Sequence, residues 1–187
     1  LAGRVSVHAL DVTDRDALGA LARELARTPI DVAIANAGIL AGRTMTADSF
    51  DEAAWAALFR VNTMAPLAFA AAFAPHVAAS GERKMIAISS WVGSITQNLQ
   101  GGHYLYRSSK AALNSVWRAF AVDHPELIVA ALSPGRTQTD MIRDDMERWA
   151  GAQAPATSVG GMRKVIAGLA QADTGGFFHF DGTRLAF

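Results

Sequence analysis

The 187-residue sequence contains no cysteine. This absence excludes disulfides, cysteine-ligated metals and cysteine nucleophiles, and it is compatible with the reducing cytoplasm, where we expect the protein to work. An excess of charge of one sign is also missing, since 17 Lys and Arg balance 17 Asp and Glu. Without a basic run or an acidic tail, neither nucleic acid nor an anionic membrane surface is the expected partner.

Long apolar runs are also lacking. The longest, Ala65–Ala74, contains Pro66 and falls short of the roughly 20 residues that span a bilayer. The five histidines show no metal-ligand spacing, so no metal site is expected. What the chain does have is 51% hydrophobic residues, enough for the core of one domain, which we expect to comprise residues 1–187.

Strand-like and helical patterns alternate along the chain. Continuous apolar or β-branched runs predict strands, and apolar residues at helical spacing predict helices. The predicted strands are 4–10, 31–35, 84–89, 127–132 and 176–180, and the predicted helices are 14–27, 51–79 with an interruption near Asn62 and Pro66, 104–122, 139–149 and 158–170. This order indicates an α/β fold with a doubly wound parallel sheet, covered by helices on both faces.

Tyr106 and Lys110 form the strongest local signal for chemistry. They stand at i and i+4 on a predicted helix and so share one face, about 6 Å apart along the axis. An ammonium beside a phenol favours the phenolate, so we expect Lys110 to lower the pKa of Tyr106 from about 10. Such a tyrosine can give a proton to a carbonyl oxygen or take one from an alcohol. Taken alone, the pair could also be a chance arrangement on an exposed helix.

Polar or glycine-containing segments follow several predicted strands. Ser90 follows strand 84–89, Asn36-Ala37-Gly38 follows strand 31–35, and Pro134-Gly135 follows strand 127–132. Ligands of open α/β sheets bind at the carboxyl ends of the strands, where a serine can donate a hydrogen bond to an oxygen that gains charge. By itself, Ser90 is better explained by a local turn, and mid-helix Asn62 by a helix defect.

The ordered set of these residues resembles the short-chain dehydrogenases/reductases over essentially the whole chain. The matching positions are Asp11-Val12, Asn36-Ala37-Gly38, Asn62, Ser90, Tyr106-xxx-Lys110 and Pro134-Gly135-xxx-Thr139. The stretch from Ser89 through Gly101-Gly102 to Asn114, and the ending Gly175–Gly182, further resemble the subgroup of C-factor-like proteins and sniffer-type carbonyl reductases.

The resemblance implies a Rossmann-like fold and hydride transfer between NAD(P) and a small carbonyl or alcohol, with NADP slightly favoured over NAD. Tyr106 would be the general acid/base, Lys110 would tune it and hold the nicotinamide ribose, Ser90 would orient the carbonyl, and Asn62 would fix a water for proton relay. The residues implied to contact the cofactor are Asp11, Val12, Asn36, Ala37, Gly38, Tyr106, Lys110, Pro134, Gly135, Thr137 and Thr139. A homodimer through helices 51–79 and 104–122 is also implied.

The sequence departs from the family pattern in two places. No glycine follows a strand and opens a helix in the manner of the family's phosphate-binding turn, and Arg136 replaces an aromatic or aliphatic residue. We interpret the chain as N-terminally incomplete, lacking the first strand–helix–strand unit of about 30 residues. Strand 4–10 should then be unpaired, roughly 14 Å from strand 31–35, and the chain should bind cofactor poorly or not at all.

Two alternatives to the reductase remain open. The chain could be a dinucleotide-binding, C-factor-like signalling protein that needs no turnover. It could also be an inactive fragment that is unable to bind cofactor.

Overall fold

A computed structural model describes residues 5–26, 28–42 and 45–187. Over these residues, one sheet contains four parallel strands in the order β1 to β4. The strands are β1 (Val32–Ala35), β2 (Lys84–Ile88), β3 (Ile128–Ser133) and β4 (Gly176–His179). Each strand pairs with the next along the chain, in register, so all four carboxyl ends reach the same edge of the sheet. The predicted parallel α/β sheet is confirmed.

Helices cover both faces of this sheet. They are α1 (Arg15–Glu24), α2 (Glu52–Phe59), α3 (Ala65–Ala78), α4 (Tyr104–Asp123), α5 (Met146–Ala150) and α6 (Pro155–Gly168). Alternate residues of a strand point to opposite faces. Accordingly, Met85 and Val129 pack with residues of α1, α3 and α4, while Ile86 and Leu132 pack with Ile166 of α6.

The first predicted strand is not a strand. Residues 5–10 have no regular secondary structure, and Val5 and Val7 are 71% and 90% exposed. The expected lack of pairing is confirmed, because within the described residues β1 pairs with β2 alone. A β-branched pattern becomes a strand only where a neighbour can receive its hydrogen bonds. On β1, Val32 and Ile34 stay 36% and 42% exposed.

The predicted helix 139–149 is also wrong as a single element. The chain forms a 3-10 turn at Asp140–Ile142 and then α5. The backbone N–H of Asp145 donates to the Ile142 carbonyl at 3.1 Å, and a new helical turn begins when Trp149 donates to Asp145 at 2.8 Å. The hydrogen bond from Asp145 to Ile142 therefore interrupts the helical pattern and divides the segment into two short pieces.

The interruption predicted in helix 51–79 is confirmed as a π-helix over Arg60–Met64, between α2 and α3. By length and composition alone, the continuous run Glu52–Ala78 could cross a membrane. Its residues Phe73 and Val77, however, are buried against the sheet, α1 and α4. A core helix of a globular domain has the same apolar character, and we assign the hydropathy of this run to that packing.

Candidate active site

A cleft of about 950 Å³ opens at the carboxyl ends of β1, β2 and β3. The loops after these strands and the first turns of α4 contribute most of its polar lining. The predicted site residues found in this lining are Asn36, Ala37, Gly38, Ser90, Tyr106, Lys110, Pro134, Gly135, Thr137 and Thr139. The parallel register therefore brings together segments that are up to about a hundred positions apart in the sequence.

Lys110 lies deep in this cleft, with 4% of its surface exposed. Its Nζ donates a hydrogen bond to the Ile88 carbonyl at the end of β2, at 2.9 Å. The same Nζ lies 5.9 Å from the centroid of the Tyr106 ring. Because burial removes water from the ammonium, the pKa of Lys110 falls to about 8.

The expected lowering of the tyrosine pKa is wrong for this structure. Burial raises the pKa of Tyr106, and the hydrogen bond with the Ser90 hydroxyl opposes that rise only partly. The physical reason is that the phenolate would lose water, while the Lys110 ammonium is directed to the Ile88 carbonyl. Tyr106 is therefore held in its protonated form, as a proton donor requires.

Ser90 makes the local turn bond that was considered for it, and its hydrogen bond to a substrate oxygen stays a prediction. It caps the 3-10 turn Trp91–Gly93, and its Oγ accepts a hydrogen bond from Val92 N at 3.4 Å. It also lines the cleft with Tyr106, where its hydroxyl opposes part of the rise in the Tyr106 pKa. The turn can approach α4 because residue 93 is glycine, since a Cβ there would lie 2.9 Å from the backbone carbonyl carbon of Lys110.

Asn62 stands in the π-helix, fully buried behind the cleft. Its Oδ1 accepts from Ile39 N at 2.9 Å, and its Nδ2 donates to Ile39 O at 3.0 Å and to Ser109 Oγ at 3.1 Å. A Cβ at Gly38 would lie 3.4 Å from Asn62 Oδ1 and 3.6 Å from Lys110 Nζ. The helix irregularity thus connects the loop after β1 to α4, as π-helical turns at functional sites often do.

Two residues that sequence reasoning missed complete this network. Ser109 Oγ donates to the Tyr106 carbonyl at 2.8 Å, and Thr63 Oγ1 donates to the Ser109 carbonyl at 2.8 Å. The position of Ser109 next to Lys110 was a usable signal. No sequence signal singled out Thr63, because its contact depends on the π-helical turn.

The structure does not bring Asp11 and Val12 to the cleft. The Asp11 carboxylate accepts from Thr13 N and from Thr13 Oγ1, both at 2.8 Å, in an exposed turn. These hydrogen bonds keep the pKa of Asp11 low. The predicted contact of Asp11 and Val12 with adenine therefore stays a prediction. Within the part of the chain that is described, no group of three or more His, Asp or Glu could hold a metal ion.

Two glycines of the lining leave space that suits a bound dinucleotide. Because Gly38 has no side chain, it leaves room beside Lys110 Nζ. Gly135 has φ +72°, and a Cβ there would come within 3.0 Å of the Phe180 ring and of Gln153 Nε2, so a side chain would be strained and crowded.

The sequence matches the model of the short chain dehydrogenase family over residues 2–149, and the chain therefore belongs to that family. It is 37% identical to C-signal of Myxococcus xanthus over 169 residues, which cover 89% of this chain and 98% of C-signal.

Two solved structures show the same fold. The carbonyl reductase Sniffer of D. melanogaster matches with a TM-score of 0.86 and 29% identity, over 96% of this chain and 77% of Sniffer. The NADPH-bound carbonyl reductase from chicken fatty liver matches with a TM-score of 0.81 and 32% identity, over 95% and 75% of the respective chains. The chain is thus an oxidoreductase-family member of the C-factor and sniffer type.

Proposed function

We propose that this protein is an NAD(P)-dependent carbonyl reductase in which Tyr106 supplies the proton. The observation that carries the proposal is that Tyr106 and Ser90 line one cleft, with the Lys110 ammonium 5.9 Å from the Tyr106 ring. A buried phenol next to a second hydroxyl donor is suited to a carbonyl oxygen on which charge develops.

When bound, NAD(P)H would supply a hydride to the carbonyl carbon. The chain's own groups handle the oxygen: the Ser90 hydroxyl donates a hydrogen bond to it, and Tyr106 gives it a proton as the C=O π bond breaks. The Lys110 ammonium, protonated at neutral pH with a pKa of about 8, stabilises the phenolate that remains. Asn62 would hold the water through which Lys110 recovers a proton.

Lys110 would also hold the nicotinamide ribose, and the segment from Pro134 to Thr139 the carboxamide. The NADPH-bound chicken reductase supports NADP as the preferred dinucleotide. Because Asp11 and Val12 lie away from the cleft, we expect weak, millimolar binding. Work in the cytoplasm and a homodimer through helices 51–79 and 104–122 are parts of the same proposal that stay predictions.

The first test is turnover at millimolar NADPH with an aromatic aldehyde, followed by loss of the NADPH absorbance. We expect Tyr106→Phe to lower kcat by at least about 100-fold, because the general acid is lost. The matched control is Tyr104→Phe, since Tyr104 is 47% exposed and does not line the cleft. Full activity in Tyr106→Phe, or no turnover by the wild type, would refute the proposal.

Similarity to C-signal over 98% of that protein favours a second function, that of a dinucleotide-binding signalling protein. The Tyr106→Phe protein separates the two functions, because removing one hydroxyl leaves the remaining cofactor contacts in place. A signalling effect that survives this change, together with unchanged dinucleotide binding, would support the second function over the first.

A further inference from the structure

The charges that line the cleft are unequal. Basic side chains at His103, Arg107, Lys110 and Arg136 line it, whereas the described lining contains one acid, Asp140. That carboxylate already forms an ion pair with Arg143. The cleft therefore presents more positive charge than its own acidic groups neutralise, and a net positive cleft attracts anions.

Arg107 has hydrogen-bond donors to spare. It follows Tyr106 in the first turns of α4, and its Nη1 donates to the Val92 carbonyl at 3.2 Å. Its Nε is buried without a hydrogen-bond partner, and no described carboxylate forms an ion pair with it. Because a guanidinium carries five N–H donors, most of them remain unused beside the turn that Ser90 begins.

Arg136 contributes a second cation from the loop after β3. Its backbone carbonyl accepts from Gln153 N at 2.9 Å, and its Nη1 lies 3.3 Å from the position that a Cβ on Gly151 would take. No ion pair with a described acid involves it. The turn that Arg107 contacts is joined to the end of β3, just before the Arg136 loop, since Trp91 N donates to Ser133 Oγ at 2.9 Å.

We infer that the carbonyl substrate of this protein carries an oxyanion group, such as a carboxylate, which Arg107 and Arg136 bind in the cleft. This inference rests on the proposed reductase function and names its substrate class. Arginine pairs with carboxylates through short, charge-assisted and often bidentate hydrogen bonds. A neutral substrate would leave the buried Arg107 Nε without a partner and the exposed Arg136 in water, whereas an anionic one would pair with both.

The apolar part of the cleft leaves room for the body of such a substrate. Met45, Met141 and Met162 line it from three different segments, and flexible methionine side chains adapt to varied shapes. The carbonyl group would lie at Tyr106 and Ser90, with the oxyanion directed toward the arginines. The competing explanation is that Arg136 only supports the end of α5 near Gly151, and the experiment separates the two.

The experiment compares kcat/KM for para-carboxybenzaldehyde with that for its neutral isostere para-formylbenzamide, at millimolar NADPH. We expect a preference for the carboxylate of about tenfold, which weakens as salt is added. Arg107→Gln and Arg136→Gln should each lower this ratio, and the double variant should bring it to about one. Arg107→Lys, which keeps the charge, should retain part of the preference.

The control variant is Arg163→Gln, because Arg163 is exposed on α6 and does not line the cleft; its ratio should equal that of the wild type. A ratio near one in the wild type, or a ratio that both glutamine variants leave unchanged, overturns the inference while the reductase function stands. If neither aldehyde is reduced, the proposed function fails and the substrate class fails with it.

Discussion

At the scale of single residues, the site depends on an ammonium group held away from water. Lys110 is 4% exposed, and its Nζ makes one described hydrogen bond, to the Ile88 carbonyl. Burial favours the neutral amine, so the pKa of Lys110 falls from 10.5 to about 8. A charge held in this way is available for chemistry, but it lowers the stability of the folded chain.

We expect Lys110→Met to raise the free energy of unfolding near neutral pH. An unfolded lysine binds its proton below about 10.5, whereas the folded one does so only below about 8, so the wild type loses stability as the pH falls through this window. The cost is at most about 3 kcal/mol, and the lost hydrogen bond to Ile88 offsets about 1 kcal/mol of it. Urea unfolding of both proteins at several pH values measures the difference.

The stabilisation by Lys110→Met should shrink as the pH rises toward about 10.5, because both states of the wild type are then neutral. Lys164→Met on the exposed side of α6 is the matched control and should show no such pH dependence. Equal stability of wild type and Lys110→Met near neutral pH would mean that the buried ammonium does not lower the free energy of unfolding.

At the scale of elements, the π-helix and the 3-10 turn position α4, which carries Tyr106 and Lys110, from two sides. The π-helix directs both Asn62 and Thr63 to Ser109 of α4. The 3-10 turn contacts α4 through Gly93, opposite Lys110. Tyr106 and Lys110 are thus held by neighbouring elements, and their geometry depends on close approach rather than on helix propensity.

Gly93→Ala should destabilise the protein and lower its reductase activity. The added Cβ would meet the Lys110 backbone at 2.9 Å, so the turn must move away from α4 and carry Ser90 away from Tyr106. Overpacking of this kind costs about 1–3 kcal/mol. Urea unfolding and kcat measure the two effects.

Gly160→Ala in α6 is the matched control for this prediction. A Cβ at Gly160 would find nothing within 4 Å, and alanine in a helix interior is favoured over glycine by about 1 kcal/mol. Gly160→Ala should therefore be at least as stable as the wild type. If Gly93→Ala behaves in the same way, the close approach of the turn to α4 has no energetic importance.

At the scale of the whole molecule, the charged and polar groups of the cleft are unevenly distributed along its length. Around Lys110 and Gly135 the lining provides a positive charge, hydrogen-bond donors and a glycine backbone without a side chain. Asp11 and Val12, in contrast, lie outside the lining, and β1 has one described neighbour in the sheet. In this structure a dinucleotide would thus lack the predicted contacts of Asp11 and Val12 with adenine.

We therefore expect thermal melting to respond to NADPH only at millimolar concentrations, with NADPH at least as effective as NADH. A ligand present at 100 times its Kd adds about 2.7 kcal/mol to stability, which a melting curve detects readily. The Lys110→Met protein lacks the proposed ribose contact and should show a smaller shift. A full shift at micromolar NADPH would show that the adenine half is also bound firmly.

Local patterns in the sequence were enough to predict most helices, the four observed strands and the common face of Tyr106 and Lys110. These features follow from continuous apolar runs and from the helical period of 3.6 residues, which neighbouring positions determine. The interruption near Asn62 was also predictable, because asparagine is a poor helix former. The strand assigned to 4–10 failed since a strand needs a partner, which no local pattern can supply.

Only the tertiary structure decided the electrostatics of the site and its close contacts. The sequence predicted that Lys110 would lower the pKa of Tyr106, yet burial raises that pKa, because the ammonium bonds to Ile88 and the phenolate loses water. Gly93, Thr63 and Arg107 gained their importance only once α4 had packed beside its neighbours. Desolvation and steric approach depend on groups that are far apart in the chain. The sequence by itself therefore determined the residues and elements of the site, whereas packing determined their charges, their distances and their unused hydrogen-bond donors.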